Sequence, residues 1–170
     1  MVSRIIPVDD FDLVIFGATG DLARRKIVPG LYRRFIAGQM PPSAQIVGAA
    51  RTKQDDAAFR TEMRAAIHEF IGPDEDEAQL SAFLETLHYV SIDARGTGGW
   101  SELKALMRPG AVHAFYFSVA PALFGDIAER LASNGIADPW RVKLTWGFGA
   151  ARPTKSSTTA VIAGSPPSRS

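Results

Sequence analysis

Leu13-Val-Ile-Phe-Gly-Ala-Thr-Gly-Asp-Leu-Ala-Arg-Arg-Lys26 decides how this chain is read. Val14, Ile15 and Phe16 make the unbroken apolar run expected of a parallel strand buried on both faces. The run enters a glycine turn, Gly17-x-x-Gly20-x-x-Ala23, and leaves it in a helix start carrying Arg24, Arg25 and Lys26. Without a Cβ at Gly17 and Gly20 the backbone can turn tightly, and a diphosphate can lie directly against its N–H groups. The helix that follows aims unpaired N–H groups and the positive end of its dipole at that anion. The pattern predicts a dinucleotide-binding unit, although a lone glycine turn also fits an ordinary strand–helix connection.

Outward from this turn, strand and helix patterns alternate. Phe11 to Phe16 reads as the first strand, followed by a helix to about residue 37 that Pro29, lacking an N–H, should kink or restart. Gln45-Ile-Val-Gly-Ala-Ala50 is a short second strand. Phe59, Met63, Ile67 and Phe70 recur at helical spacing and predict a helix over about 54–71. An acidic connector at 72–77 and a short helix at 78–84 lead to a third strand, 87–92. A helix at 100–107 precedes the most apolar strand, 111–119, and Pro121 suits the first turn of a helix reaching about 134. Residues 140–144 read as a fifth strand. This order predicts an α/β fold, a doubly wound parallel sheet of Rossmann type, over residues 1–146. Ligands of such sheets sit beyond the carboxyl ends of the strands, where the Gly17 turn, Arg51 and the stretch from Ser118 to Pro121 all fall. Residues 147–170 are dominated by Ser, Thr, Pro, Ala and Gly without periodicity, and are expected to be disordered.

Composition narrows the function classes. A chain of 170 residues, 46% hydrophobic and 22% charged, can build one domain with a core. Its net charge of +1 implies neither a nucleic acid nor an anionic membrane as partner. Cysteine is absent, which removes disulfides, thiolate metal sites and a thiol nucleophile. No apolar run reaches the length of a membrane span and no secretory leader is apparent, so a cytoplasmic setting is expected.

The end of the second strand selects the dinucleotide. NAD-binding folds commonly place an Asp or Glu there for the ribose hydroxyls. Here the chain reads Gly48-Ala-Ala-Arg51-Thr-Lys53, with no carboxylate before Asp55. Arg51 is permanently charged and can grip a phosphate with two prongs or stack on adenine. NADP, with its 2′-phosphate, fits this end better than NAD does. The alternative is a plain surface arginine.

With these blocks in view, the chain resembles the glucose-6-phosphate dehydrogenase family over about residues 8–144. The resemblance rests on Val14 to Pro29 with its Asp21-Leu22-Ala23, on Val47-Gly-Ala-Ala-Arg51, and on Phe115-Tyr-Phe-Ser-Val-Ala-Pro-Ala-Leu-Phe-Gly125. It implies that Gly17, Thr19, Gly20, Asp21 and Leu22 line the pyrophosphate and that Arg51 holds the 2′-phosphate. Ala120 and Pro121 would border the nicotinamide. Bland roles stand beside these: Asp21 can cap the helix, Leu22 can pack in the core, and Thr19 can bond the turn. The implied reaction is NADP-dependent oxidation of glucose 6-phosphate to the lactone, by a histidine base assisted by an aspartate. The family's sugar-phosphate motifs are not in this sequence: Thr145-Trp-Gly147 stands where Glu-Lys-Pro is expected, and only Phe148-Gly149 persists. His68, His88 and His113 have no aspartate at a suggestive position and read as structural or surface residues. No catalytic residue and no metal site is expected.

The tail from 147 has the composition of a GC-rich gene read out of frame, and suitable codons for 155–170 would spell Glu-Leu-Asn-Asp and Phe-Pro-Ala-Glu in a shifted frame. The expectation is a frameshifted or shortened coding sequence that supplies the cofactor half and lacks the α+β substrate domain. Such a chain should be inactive alone, expose apolar surface, and form no specific homo-oligomer. A non-catalytic NADP-binding module is the second reading. A short-chain reductase is the third, and none of Tyr32, Tyr89 or Tyr116 has the lysine four residues on that its chemistry needs.

Overall fold

The computed structural model describes residues 10–137 and the backbone of 143–145 and 160–164. Four strands, β1 (Phe11–Phe16), β2 (Gln45–Ala50), β3 (Leu87–Ser91) and β4 (Val112–Phe117), pair in parallel in the order β3-β2-β1-β4. Two more, β5 (Lys143–Thr145) and β6 (Ala160–Gly164), extend the sheet beyond β4 in the order β4-β6-β5. The connecting helices are α1 (Val28–Ile36), α2 (Asp56–Phe70), α3 (Glu77–Glu85), α4 (Trp100–Leu106) and α5 (Phe124–Ser133).

Alternation along β1 shows why its sequence is apolar throughout. Val14 and Phe16 point to one face, where Phe115 and Phe117 join Trp100 and Leu103 of α4 and Ile127 and Leu131 of α5. Ile15 points to the other, with Ile46 and Leu87, against Tyr32 of α1, Phe59 and Met63 of α2, and Phe83 of α3. Both faces are covered, as a doubly wound sheet requires. Each large apolar side chain so buried contributes about 1.5–3 kcal/mol before the entropy of ordering it is set against that.

One polar residue breaks the run. Asp12 is fully buried at the start of β1. Its carboxylate accepts from the backbone N–H of Arg108 at 2.6 Å and from Arg108 Nε at 2.7 Å. His113 Nε2 lies 3.7 Å away and also 3.0 Å from the Arg108 carbonyl oxygen. A buried carboxylate is tolerable only with such partners. The network clamps the loop before β4 onto β1 at the sheet's amino end, away from the glycine turn.

Pro29 does not break the helix. A π-helical segment, Ala23–Ile27, precedes α1, and the Val28 N–H donates to the Ala23 carbonyl five residues back. The wide turn leaves Pro29 in the first turn of α1, where a missing N–H costs nothing. The sheet also departs from the all-parallel expectation, since β6 runs antiparallel to β4 and to β5. The expected strand at 140–144 is seen as Lys143–Thr145, one strand removed from β4, while 138–142 lie outside the described residues.

The tail needs a correction too. Ala160–Gly164, expected to be disordered, is a strand paired with β4 from Phe117↔Ala160 to His113↔Gly164. Val161 and Ile162 are β-branched, and an open β4 edge offers unpaired backbone groups to any extended segment in reach. Residues 147–159 and 165–170, the rest of the expected disorder, lie outside the described residues.

Candidate dinucleotide site

The glycine turn is held between the carboxyl ends of three strands. The Gly17 N–H donates to the Ala49 carbonyl at 2.8 Å, tying the turn to β2. On the other side, the Ser118 N–H donates to the Phe16 carbonyl at 2.8 Å. Gly17 has φ +83°, and a Cβ built there would collide with the Ser118 carbonyl. Glycine is therefore required twice over at this position, by its backbone angle and by the close pass of the β4 exit. Gly20 makes the inner turn, its N–H donating to Gly17 O at 3.0 Å, and Ala18 is buried beneath it.

Beyond the turn, the Arg24 N–H donates to Gly20 O at 3.2 Å, so the helix starts at Asp21 and its first N–H groups have no partner within the helix. Donors so placed, with the dipole's positive end behind them, can receive an anion. The Thr19 hydroxyl has no hydrogen-bond partner among the described residues, so it does not bond the turn. Asp21 is exposed and pairs with Arg25 Nε at 2.5 Å, an exposed pair of little energetic weight. Leu22 is half-buried. Arg25 lies 5.6 Å from the Phe70 ring centroid, and Arg24 Nε lies 3.6 Å from Glu62 Oε1. Arg24, half-buried, and Arg25, exposed, thus both lie against α2.

Arg51, Thr52 and Lys53 follow β2 in a short exposed loop, and α2 begins after the Asp55 cap, whose Oδ1 accepts from Ala58 N at 2.8 Å. Arg51 and Lys53 have no ion-pair partner among the described residues. A guanidinium at the end of β2, two residues past the carbonyl that holds Gly17, is left available for an anionic ligand. Ala120 and Pro121 are exposed just after the Ser118 contact, with Pro121 opening a 3-10 turn, Pro121–Leu123, before α5. The structure thus brings the glycine turn, the Arg51 loop and the start of the Ala120 segment to one edge of the sheet.

Sequence reasoning missed the residues that support this edge. The Tyr89 hydroxyl lies 2.7 Å from the Thr52 carbonyl and 3.2 Å from that of Ala50. Ser91 Oγ lies 3.4 Å from the Arg51 carbonyl. The only available signal was that Tyr89 and Ser91, two apart on a strand, share one face. The histidines also differ from expectation in their surroundings. His88 Nδ1 lies 3.0 Å from Asp56 and His113 stands by Asp12, but one pair is on the edge strand β3 and the other at the sheet's amino end. Neither is at the glycine turn. Among the described residues there is no acidic or histidine cluster able to hold a metal, and no helix long and apolar enough to cross a membrane.

The parallel β3-β2-β1-β4 core with a glycine turn at the carboxyl end of β1 defines a dinucleotide-binding α/β domain. A family model described as glucose-6-phosphate dehydrogenase, NAD binding domain, matches residues 14–157. The chain is 42% identical over 137 residues to the glucose-6-phosphate 1-dehydrogenase of Rhizobium meliloti, covering 79% of this chain and 28% of that protein. It is 43% identical over 137 residues to the enzyme of the same name from Gluconobacter oxydans, covering 78% of this chain and 28% of the relative. Among solved structures it is similar to glucose-6-phosphate 1-dehydrogenase from Mycobacterium avium, with a TM-score of 0.69, 31% identity, and coverage of 77% of this chain and 28% of that one. A glucose-6-phosphate dehydrogenase in complex with its substrate glucose-6-phosphate aligns with a TM-score of 0.65, 25% identity and coverage of 79% and 29%. The chain belongs to the glucose-6-phosphate dehydrogenase family and carries its nicotinamide-dinucleotide-binding domain. It spans a little over a quarter of the length of the curated relatives it matches.

Proposed function

We propose that this chain binds NADP and supplies the cofactor half of a glucose-6-phosphate dehydrogenase, which oxidises glucose 6-phosphate to 6-phosphogluconolactone. The backbone from Gly17 to Leu22, with the Thr19 hydroxyl, receives the pyrophosphate; Arg51 receives the 2′-phosphate; Ala120 and Pro121 border the nicotinamide. The fit rests on the donor set: helix-start N–H groups beside an open glycine, where a Cβ on Gly20 would meet only the turn's own Gly17 O, at 3.1 Å. The observation that carries the choice of NADP is the Arg51 side chain, exposed and without an ion-pair partner among the described residues, at a strand end with no carboxylate before Asp55. A carboxylate there would repel a 2′-phosphate, whereas a guanidinium binds it with two parallel hydrogen bonds.

Bound nicotinamide supplies the hydride acceptor. This chain's own residues hold the anionic end and orient the ring; His88, on the edge strand β3, and His113, beside Asp12 at the sheet's amino end, stand away from the glycine turn. These 170 residues alone are therefore expected to bind cofactor without turnover. Two measurements test this. NADPH formation from glucose 6-phosphate by the purified chain should stay at background, and activity above it contradicts the reading. In a titration, NADP should bind more tightly than NAD, with the difference lost in Arg51→Ala; equal affinities unaffected by that substitution remove the 2′-phosphate assignment.

A further inference from the structure

Arg51 is a long side chain on an exposed loop, and a flexible guanidinium loses affinity through the entropy of fixing it. Its backbone, however, is tied on both sides. The Tyr89 hydroxyl lies between the carbonyls of Ala50 and Thr52, at 3.2 and 2.7 Å. Ser91 Oγ approaches the intervening Arg51 carbonyl at 3.4 Å, and the Ile92 N–H donates to Ala50 O at 2.8 Å. Three consecutive carbonyls, the last of β2 and the first two of the loop to α2, are thus met by β3 and the residue after it, and β3 flanks β2 on the side away from β1.

Tyr89 is itself set in place by packing. Its ring lies 5.0 Å from that of Phe59, and Phe59 reaches the sheet because Gly48 lacks a side chain: a Cβ there would sit 2.5 Å from Phe59 Cζ. The Tyr89 N–H donates to Asp56 Oδ1 at 2.7 Å, joining β3 to the start of α2. Burial pushes the Tyr89 hydroxyl's pKa up, against smaller opposing contributions from Gln54 and Thr52, so the proton that reaches the loop carbonyls stays in place. Gln54 Nε2 meets Glu62 Oε2 at 3.5 Å, and Glu62 faces Arg24 beyond the glycine turn. The supports of the loop therefore connect to the helix that receives the pyrophosphate.

We propose that Tyr89, with Ser91, is the positioning residue that makes the chain discriminate a 2′-phosphorylated adenosine dinucleotide from its unphosphorylated counterpart, by fixing the backbone on either side of Arg51. The proposal rests on the assignment of Arg51 to the 2′-phosphate. Tyr89→Phe keeps the ring and its contact with Phe59 and removes only the hydroxyl. Ser91→Ala removes the second tie with little change in packing.

The test is calorimetric titration of the full chain with NADP and with NAD, for the wild type, Arg51→Ala, Tyr89→Phe, Ser91→Ala and the Arg51→Ala/Tyr89→Phe pair. Tyr89→Phe should weaken NADP by about fivefold, the scale of one net hydrogen bond, and leave NAD unchanged. Ser91→Ala should act in the same direction, and carries the test alone if Tyr89→Phe does not fold. In the double variant, Tyr89→Phe should add nothing to Arg51→Ala, because its effect runs through Arg51. A Tyr89→Phe or Ser91→Ala variant that weakens both dinucleotides equally, or neither, while Arg51→Ala still removes the NADP preference, overturns the positioning role and leaves the Arg51 assignment intact. A wild type without NADP preference, or an Arg51→Ala variant that retains it, overturns both.

Discussion

At the scale of single residues, two glycines separate geometry from composition. Gly17→Ala places a Cβ at a positive φ and against the Ser118 carbonyl, so it should cost about 3 kcal/mol and also disturb the turn that receives the pyrophosphate. Gly30→Ala, in α1 with nothing within 4 Å of the new Cβ, should gain about 0.5–1 kcal/mol from helix propensity alone. Urea denaturation of both variants checks the opposite signs. The sequence made Gly17 legible because a strand-to-helix glycine turn has a distinctive pattern. It left Asp12 and Arg108 illegible: they are 96 residues apart, and only the fold shows that the charged pair closes the sheet's amino end. Arg108→Met should cost about 3 kcal/mol, since Asp12 stays fully buried with its main partner gone. The reverse loss, Asp12→Ala, should cost less, because Arg108 is partly exposed and can turn to water. A pair of thermal melts distinguishes these outcomes.

At the scale of elements, strands and helices from β1 to α5 were legible because both periodicities are clear and both faces of the sheet are apolar. Two elements were not. The π-helical segment depends on how a proline is absorbed, which spacing does not reveal. β6 lies in a stretch whose Ser/Thr/Pro content argues against order, yet five of its residues pair with β4. Local composition describes what a segment can bury, but an open sheet edge rewards any extended backbone with hydrogen bonds. A variant ending at residue 146 should therefore lose hydrogen-exchange protection at β4 amides facing β6, within residues 113–117. Unchanged protection there would mean that β6 adds nothing to β4.

At the scale of the whole molecule, Ile36, 41% exposed, is the one large apolar side chain left exposed among the described residues. Stability should fall in alkali. Burial first, then the hydrogen bond to Glu75 and the charges of Glu75, Asp76 and Glu77, push the Tyr32 hydroxyl up to about 12 from its ordinary 10.0. The folded chain holds this proton more tightly than the unfolded one. The stabilisation is therefore complete below pH 10, declines above it, and is lost as the pH passes about 12. The loss should approach about 2–3 kcal/mol, and Tyr32→Phe should flatten it in denaturation curves taken between those values. The dinucleotide-binding class was legible in the glycine turn after β1, because a strand-to-helix glycine turn at this spacing is the pattern such folds use. The support from Tyr89 and Ser91 was not, since it depends on which strand lies beside β2. If NADP lies across the carboxyl ends of β1, β2 and β4, adding it to the isotope-labelled chain should shift the amides of Thr19 to Leu22, Arg51 to Lys53, and Ser118 to Ala120 the most. No shifts, or shifts gathered at the sheet's amino end around Asp12 and Arg108, would contradict that placement.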